Sequence, residues 1–399
     1  MSSFCGLVDE IPGISVDCYV EENLNSSVYF LSHFHTDHMK GLNDNFFTHL
    51  LNEDKIFYCS SLTKLFLINK YPQLCSNQTK QKLIELELNS PTLVKYKFCN
   101  SAYSLMVTSI SSGHCPGSLM FLFKYNDLTI LYTGDFRINM NDYNKLEPLN
   151  IRIGHENFPI PIDKIYLDTT FLNLKFKEFP SRKQSVEQLC SFVNNWIQKN
   201  PKNIVILEIS ALIGSEYIYI EISKALNLKV HVKENIYSVY SKIDILKDHI
   251  TNIGEITPIH ACMNKKDSMK NKNIECRPVI DSENILTVVP SAQKWSGKDT
   301  SCMISQDENR FNTINICYST HASYNEIEAF IQYFKPKKVF PCVCEKNEKE
   351  MNDLLDKIMQ EKITIDSLSS TSKPIQVSSY SIFSESNYKS RFISDDEDD

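Results

Sequence analysis

The sequence predicts an α/β protein in which one α/β domain is inserted into another. Two observations carry this. Short apolar runs that end on an acid or a histidine fill the first 170 residues and recur near residue 320. Such runs are strands that deliver polar side chains to one edge of a sheet. Between them, from about residue 180, strand and helix signals alternate, as in a parallel α/β layer. The boundaries read as 1–170 and 312–365 for the first domain and 171–311 for the inserted one. A Ser-rich and then acidic stretch, 366–399, reads as a mobile tail.

Each element has its own signal. Gly13 to Asp17 reads as a first strand ending on an acid, and Val28 to Leu31 as a second, buried one. Ile56 to Leu67 suits a strand followed by a helix, and Tyr71 to Ser90 is polar and reads as peripheral. Leu105 to Ile110, Leu119 to Tyr125, Leu128 to Thr133 and Lys164 to Leu167 are further strands, the last followed by Asp168. Ser181 with Gln184 three residues later is a capping box, and Val186, Leu189, Val193 and Ile197 follow at helical spacing. Then come a strand over Ile204 to Ile209, a helix over Ser215 to Leu226 and a strand over Lys229 to Val232. Ile314 to Thr320 reads as a strand that returns the chain to the first domain and ends on His321. A helix over Tyr324 to Phe334 and a strand over Lys338 to Val343 complete the return.

The densest chemistry is Ser32-His33-Phe34-His35-Thr36-Asp37-His38, directly after the second strand. Imidazole and carboxylate together suit zinc or a similar divalent ion. One loop cannot close a two-metal site. His114, in the Gly/Pro-rich turn Ser112 to Ser118, and Asp135, after the strand Leu128 to Thr133, can supply the missing ligands. In order, they give HxHxDH, then H, then D, the metallo-β-lactamase pattern. Asp17 is either a plain turn residue or a group that orients a ligand. A second cluster, His231, His260, Cys262 and Cys276, lies inside the inserted domain. Two His and two Cys suit a tetrahedral structural zinc, but the spacing is irregular and not that of a finger, and by spacing alone unrelated buried thiols are the better reading. His260 and Cys262 flank one residue, and bringing both to one ion is taken to need a kinked loop.

Bulk properties narrow the setting. A hydrophobic content of 42% suffices for a sizeable core. No apolar run reaches membrane-span length, and the first ten residues are no signal peptide, so a soluble, unsecreted protein is expected. Thirteen cysteines, mostly inside apolar runs, point to a reducing compartment. The net charge is −7, but five carboxylates sit in the last five residues, and without them the balance is −2. A near-neutral body does not exclude a nucleic-acid partner.

Five stretches also carry a family resemblance: SHFHTDHMKGL from Ser32, GHCPGSLMFLF from Gly113, LYTGDFR from Leu131, YLDTTF from Tyr166 and YSTHASYNEIEAF from Tyr318. In this order they resemble the DNA-repair members of the β-CASP branch of the metallo-β-lactamase superfamily, over nearly all of residues 1 to about 345. The resemblance implies a metallo-β-lactamase αββα sandwich with an inserted α/β β-CASP domain. It places the metallo-β-lactamase motifs on Asp17, on His33, His35, Asp37 and His38, on His114 and on Asp135. The three β-CASP motifs fall on Asp168, His321 and Val343. RNA-processing members generally have His at the third of these and DNA-repair members Val, so Val343 favours DNA. The structural zinc of the family would rest on His231, His260, Cys262 and Cys276.

The function so implied is a metal-dependent DNA nuclease, in the nucleus and monomeric. It would cut hairpins, overhangs and single/double-strand junctions and act as a 5′-exonuclease during repair of double-strand breaks by non-homologous end joining. His33, His35 and His114 would hold one zinc, and Asp37, His38 and His321 a second, with Asp135 bridging; Mg²⁺ or Mn²⁺ could serve instead. Asp37 would be the acid/base, and Asp17 and Asp168 would orient ligands. The long C-terminal region of the family's repair members is absent here, which puts contacts with the end-joining kinase and ligase in question. The alternatives are an RNA-processing endonuclease of the same branch and a non-catalytic DNA-binding scaffold.

Overall fold

The computed structural model describes residues 2–53, 55–76, 81–209, 213–263, 274, 276, 277, 280–344 and 348–360, and the tail expected over 366–399 lies outside them. The chain divides into two compact units, Met1–Leu172 with Asn325–Asp399, and Asn173–Tyr324.

The first unit holds two sheets. One is all parallel, in the order β1 (Ile14–Val16), β2 (Val28–Phe30), β3 (Ile56–Cys59) and β4 (Leu83–Glu85). In the other, β5 (Pro91–Phe98), β6 (Ser101–Ser111), β7 (Leu119–Tyr125) and β8 (Leu128–Tyr132) run as an antiparallel meander. A hairpin of β9 (Asn150–Ile153) and β10 (Glu156–Pro159) follows. β11 (Lys164–Leu167) then adds parallel to β8, and the returning strand Lys338–Pro341 adds parallel to β11. Buried residues of both sheets, among them Val16, Phe30, Tyr58, Val107, Phe121, Tyr132 and Tyr166, share one core.

β2 shows why such strands are apolar at every position, since both of their faces are covered. Phe30 stacks on Tyr58 at 5.2 Å in the core. Its neighbour Tyr29 meets Phe46 at 5.0 Å, on the helix Asp44–Asn52. That helix starts where the Asn43 side chain accepts from the Phe46 amide, and the helix Ser61–Lys70 starts in the same way on Ser60 and Thr63. The helix Tyr324–Phe334 sets Phe330 4.8 Å from Phe136, which lies just beyond the end of β8. Helices outside two face-to-face sheets make the αββα sandwich of the metallo-β-lactamases. Among the described residues no helix is long and apolar enough to cross a membrane.

The second unit is one seven-stranded sheet. Its strands are β12 (Ile204–Leu207), β13 (Val230–His231), β14 (Ile250–Thr251), β15 (Ile259–His260), β16 (Ile285–Pro290), β17 (Ile304–Gln306) and β18 (Thr313–Ile316). The order is β14-β13-β15-β12-β16-β18-β17, parallel but for β17 at the edge. The helix Arg182–Lys199 opens on the Ser181/Gln184 capping box, with both reciprocal bonds made. β18 falls in the stretch read from sequence as the return of the first domain, yet it pairs with β16 and β17 in this sheet. A strand's own residues do not say which neighbour it will join. β4 and β5 have no counterpart in the sequence reading. β4 is three residues long, and β5 alternates buried Val94 and Tyr96 with exposed Lys95 and Lys97.

Candidate metal centre

The loop after β2 turns back on itself. The His35 amide donates to the His33 carbonyl and the His38 amide to the His35 carbonyl. This tight winding brings His33 and His38 to 4.2 Å between ring centroids. His114 arrives from the turn after β6. There Gly113 takes φ +68°, and an added Cβ would lie 2.5 Å from the Arg137 carbonyl oxygen. Asp135 arrives two residues after Thr133, past Gly134 at φ +51°, where a Cβ would lie 2.9 Å from that of Ser32.

Four ligand atoms face one another. His33 Nε2 is 2.9 Å from His35 Nδ1, and His35 Nδ1 is 3.1 Å from His114 Nε2. Asp135 Oδ2 is 3.5 Å from His33 Nε2 and 3.7 Å from His114 Nε2. Ligands about 2.0 Å from a tetrahedral centre stand about 3.3 Å apart, so these spacings fit one divalent ion. The other oxygen of Asp135 turns elsewhere. Oδ1 is 3.2 Å from His38 Nε2, which lies 3.9 Å from Asp37 Oδ2. His38 Nε2 is buried and has no hydrogen-bond partner among the described residues. An orphaned nitrogen facing two carboxylates fits a second cation, and Asp135 can span both positions.

The electrostatics agree with a site built for positive charge. Burial, reinforced by the neighbouring imidazoles of His38, His35 and His114, holds His33 well below the usual histidine range. It is therefore neutral, the form that ligates. Burial also disfavours a charged His38, but Asp135 and Asp17 outweigh it and keep that imidazole well above its ordinary value.

Asp17 follows β1 in the left-handed region, at φ 56°. Its Oδ1 accepts from the Ser32 amide at 2.7 Å. Its Oδ2 accepts from the Tyr132 hydroxyl at 2.8 Å and from His38 Nδ1 at 2.8 Å. The Ser32 hydroxyl also donates to Oδ2, and it lies 2.9 Å from His33 Nδ1. Asp168, after β11, is buried, and it accepts from the Thr170 amide and hydroxyl and from the Phe136 amide. Val343, buried after the returning strand, exchanges hydrogen bonds with the Thr169 hydroxyl through both its N–H and its C=O. Asp37 accepts from the Ser2 amide at 3.3 Å. His321 belongs to the second unit, where its amide donates to the Ser319 hydroxyl. The sequence reading passed over Ser32 and Tyr132, although both stand inside the quoted motifs.

The second unit holds its own cluster. His231 and His260 are directly opposed on the parallel neighbours β13 and β15, which puts their Nδ1 atoms 3.2 Å apart. Cys276 Sγ is 3.4 Å and 3.3 Å from those two nitrogens and 3.7 Å from Cys262 Sγ. A tetrahedral zinc with Zn–S of about 2.3 Å and Zn–N of about 2.05 Å demands about 3.8 Å between sulfurs, about 3.3 Å between nitrogens and about 3.6 Å between unlike atoms. The observed spacings lie near these values, so the four side chains fit one tetrahedral ion. Cys276 is held down to about 3, first by the Cys262 thiol against the effect of burial, then by His231 and His260. That thiolate character suits a metal ligand. No kink is needed between His260 and Cys262, because residues two apart on an extended chain share a face. β15 ends at His260, and the Ala261 amide still donates to the His231 carbonyl. Gly254 lies against the cluster: a Cβ there would be 2.6 Å from Cys276 Cβ.

A family profile described as DNA repair metallo-beta-lactamase matches residues 244–347. Protein artemis of Danio rerio is 33% identical over 355 residues, covering 86% of this chain and 53% of that protein. Protein artemis of Homo sapiens is 34% identical over 360 residues, covering 86% and 49%. The DNA cross-link repair protein SNM1 of Arabidopsis thaliana is 28% identical over 352 residues, covering 85% and 66%. The chain thus spans about half the length of the artemis proteins it matches.

Proposed function

This chain is a relative of the artemis and cross-link-repair proteins and shares the metallo-β-lactamase fold, and on that premise we propose that it is a metal-dependent DNA nuclease. One observation carries the reading. The two oxygens of Asp135 face different ligand sets, His33 and His114 on one side and His38 on the other. That is the arrangement in-line displacement at phosphorus needs from a two-cation site.

His33, His35 and His114 would hold one ion, and Asp37, His38 and His321 the other, with Asp135 shared. Zinc suits this donor set, and Mg²⁺ or Mn²⁺ can take its oxygen-rich half. When bound, such ions supply an acidified water and positive charge for the phosphoryl oxygens. The chain's own groups do the rest. Asp37, whose side chain is 31% exposed, can exchange protons with the attacking water and the leaving oxygen. Asp17 fixes His38, and Asp168, itself held by three donors, would orient ligands.

The finer reading follows the resemblance: cleavage of hairpins, overhangs and strand junctions with 5′-exonuclease action, in end joining of broken DNA in the nucleus, by a monomer. Val343 favours DNA over RNA. His231, His260, Cys262 and Cys276 would hold a structural zinc that stabilises the second unit. The test is the purified chain on a labelled DNA hairpin and a matched RNA strand, with Zn²⁺, Mg²⁺ or Mn²⁺ supplied separately. Cutting of DNA with at least one ion is expected. Cutting of RNA alone would make the chain an RNA-processing enzyme, and binding of DNA with no cleavage under any ion would make it a scaffold.

A further inference from the structure

We infer that Tyr132 is a positioning residue of the metal centre, acting through Asp17 on both halves of the site at once. This rests on the proposed metal centre and adds the element that orients it. The Ser32 hydroxyl has one proton, and it gives that proton to Asp17. Toward His33 Nδ1, 2.9 Å away, the same oxygen can therefore only accept. His33 then carries its proton on Nδ1 and leaves Nε2 free to ligate. His38 donates from Nδ1 to the same carboxylate, which turns its Nε2 toward Asp135 and Asp37. One carboxylate thus orients a ligand in each half, directly at His38 and through Ser32 at His33.

Tyr132 anchors that carboxylate. Its hydroxyl is a third donor to the same oxygen, 115 residues away in sequence. It stands at the end of β8, three residues before Asp135, so one strand end supplies both the shared ligand and the grip on Asp17. Its ring is fixed by Phe4 at 5.4 Å and Phe121 at 6.4 Å. Burial, then the charge of Asp17, holds the phenol well above its usual range, so it remains a donor.

The substitution Tyr132→Phe removes one oxygen and leaves the packing. The probe is Mn²⁺ alone, followed by its electron paramagnetic resonance signal on the full chain with its Cys/His cluster left loaded. Mn²⁺ prefers the nitrogen and oxygen site over thiolates. Tyr132→Phe should raise the apparent Mn²⁺ dissociation constant about tenfold, the lower end of what lost outer-shell partners cause. The combination with Ser32→Ala should weaken binding by less than the product of the single effects, since both act through Asp17. Tyr96→Phe is the control. It too removes a tyrosine hydroxyl bond in this unit, to the Pro12 carbonyl, and it should leave Mn²⁺ binding unchanged. Mn²⁺ affinity in Tyr132→Phe within about twofold of the parent, or equal to that of the control, overturns the inference. A parent chain that binds no Mn²⁺ overturns it as well. A parent that binds Mn²⁺ with the expected Tyr132 effect but cuts no DNA supports the positioning role and sinks the nuclease reading alone.

Discussion

Replacing Gly254 by Ala should empty the Cys/His cluster without touching a ligand. Gly254 opens a short 3-10 turn, Gly254–Ile256, with no left-handed φ, so alanine is tolerated by its backbone. The obstacle is space. The new Cβ would lie 2.6 Å from Cys276 Cβ, 2.9 Å from its Sγ and 3.2 Å from His231 Cε1, where ordinary contact begins at 3.4 Å. Cys276 must withdraw by about 0.8 Å, several times the roughly 0.2 Å that a metal–ligand distance tolerates. Overpacking alone costs about 1–3 kcal/mol. For a unit of this size about 2 kcal/mol corresponds to about 4–8 °C of melting temperature, before the lost zinc is counted. Zinc per chain by elemental analysis and a thermal melt on the same preparation measure both effects. A variant with full zinc and parental melting would show that Cys276 is not held by a metal where the distances put it.

Three further outcomes follow from the same geometry. Asp37→Asn should abolish cleavage by at least about a hundredfold while single-stranded DNA binding, read by anisotropy, stays within about twofold, because the amide keeps the shape and loses the charge. Cys276→Ser and His114→Ala should separate the two clusters. The first should lose about one zinc and melt early while its folded fraction still cuts, and the second should melt nearly normally and not cut. Glu10 offers a pH test. Burial would raise its pKa, but Lys164 at 2.7 Å and the Tyr166 hydroxyl at 2.8 Å outweigh that and hold it below the ordinary glutamate range. A depressed carboxylate contributes stability above its unfolded pKa and loses it as pH falls through the folded value. Glu10→Gln should thus be slightly less stable than the parent at pH 7, by no more than about 1 kcal/mol, and the difference should shrink as pH falls below the ordinary glutamate range.

The ligand loop was legible because four metal-competent side chains crowd six positions after an apolar strand, a density that needs no knowledge of the fold. The groups around it were not. Ser32 and Tyr132 reach Asp17 from 15 and 115 residues away, and a lone hydroxyl leaves no periodic trace in a sequence. Gly254 acts by an atom it lacks, beside a cysteine 22 positions later, and only coordinates can reveal that. Strands were readable where burial on both faces made them apolar throughout, as in β2, or where they ended on an acid, as in β11. β18 was readable as a strand, but its sheet was not, because pairing depends on β16 and β17 rather than on its own residues.

The first unit is completed by a segment made long after its beginning. β11 ends at Leu167, and its sheet neighbour Lys338–Pro341 is synthesised only after the entire second unit. On a ribosome the seven-stranded sheet can therefore close while one edge of β11 is still bare. The bonds between Thr169 and Val343, beside Asp168, wait for the same event. Contacts so distant along the chain form slowly, and an open strand edge is a template for wrong partners in the meantime. A nascent chain released or cleaved before residue 338 would expose that edge permanently.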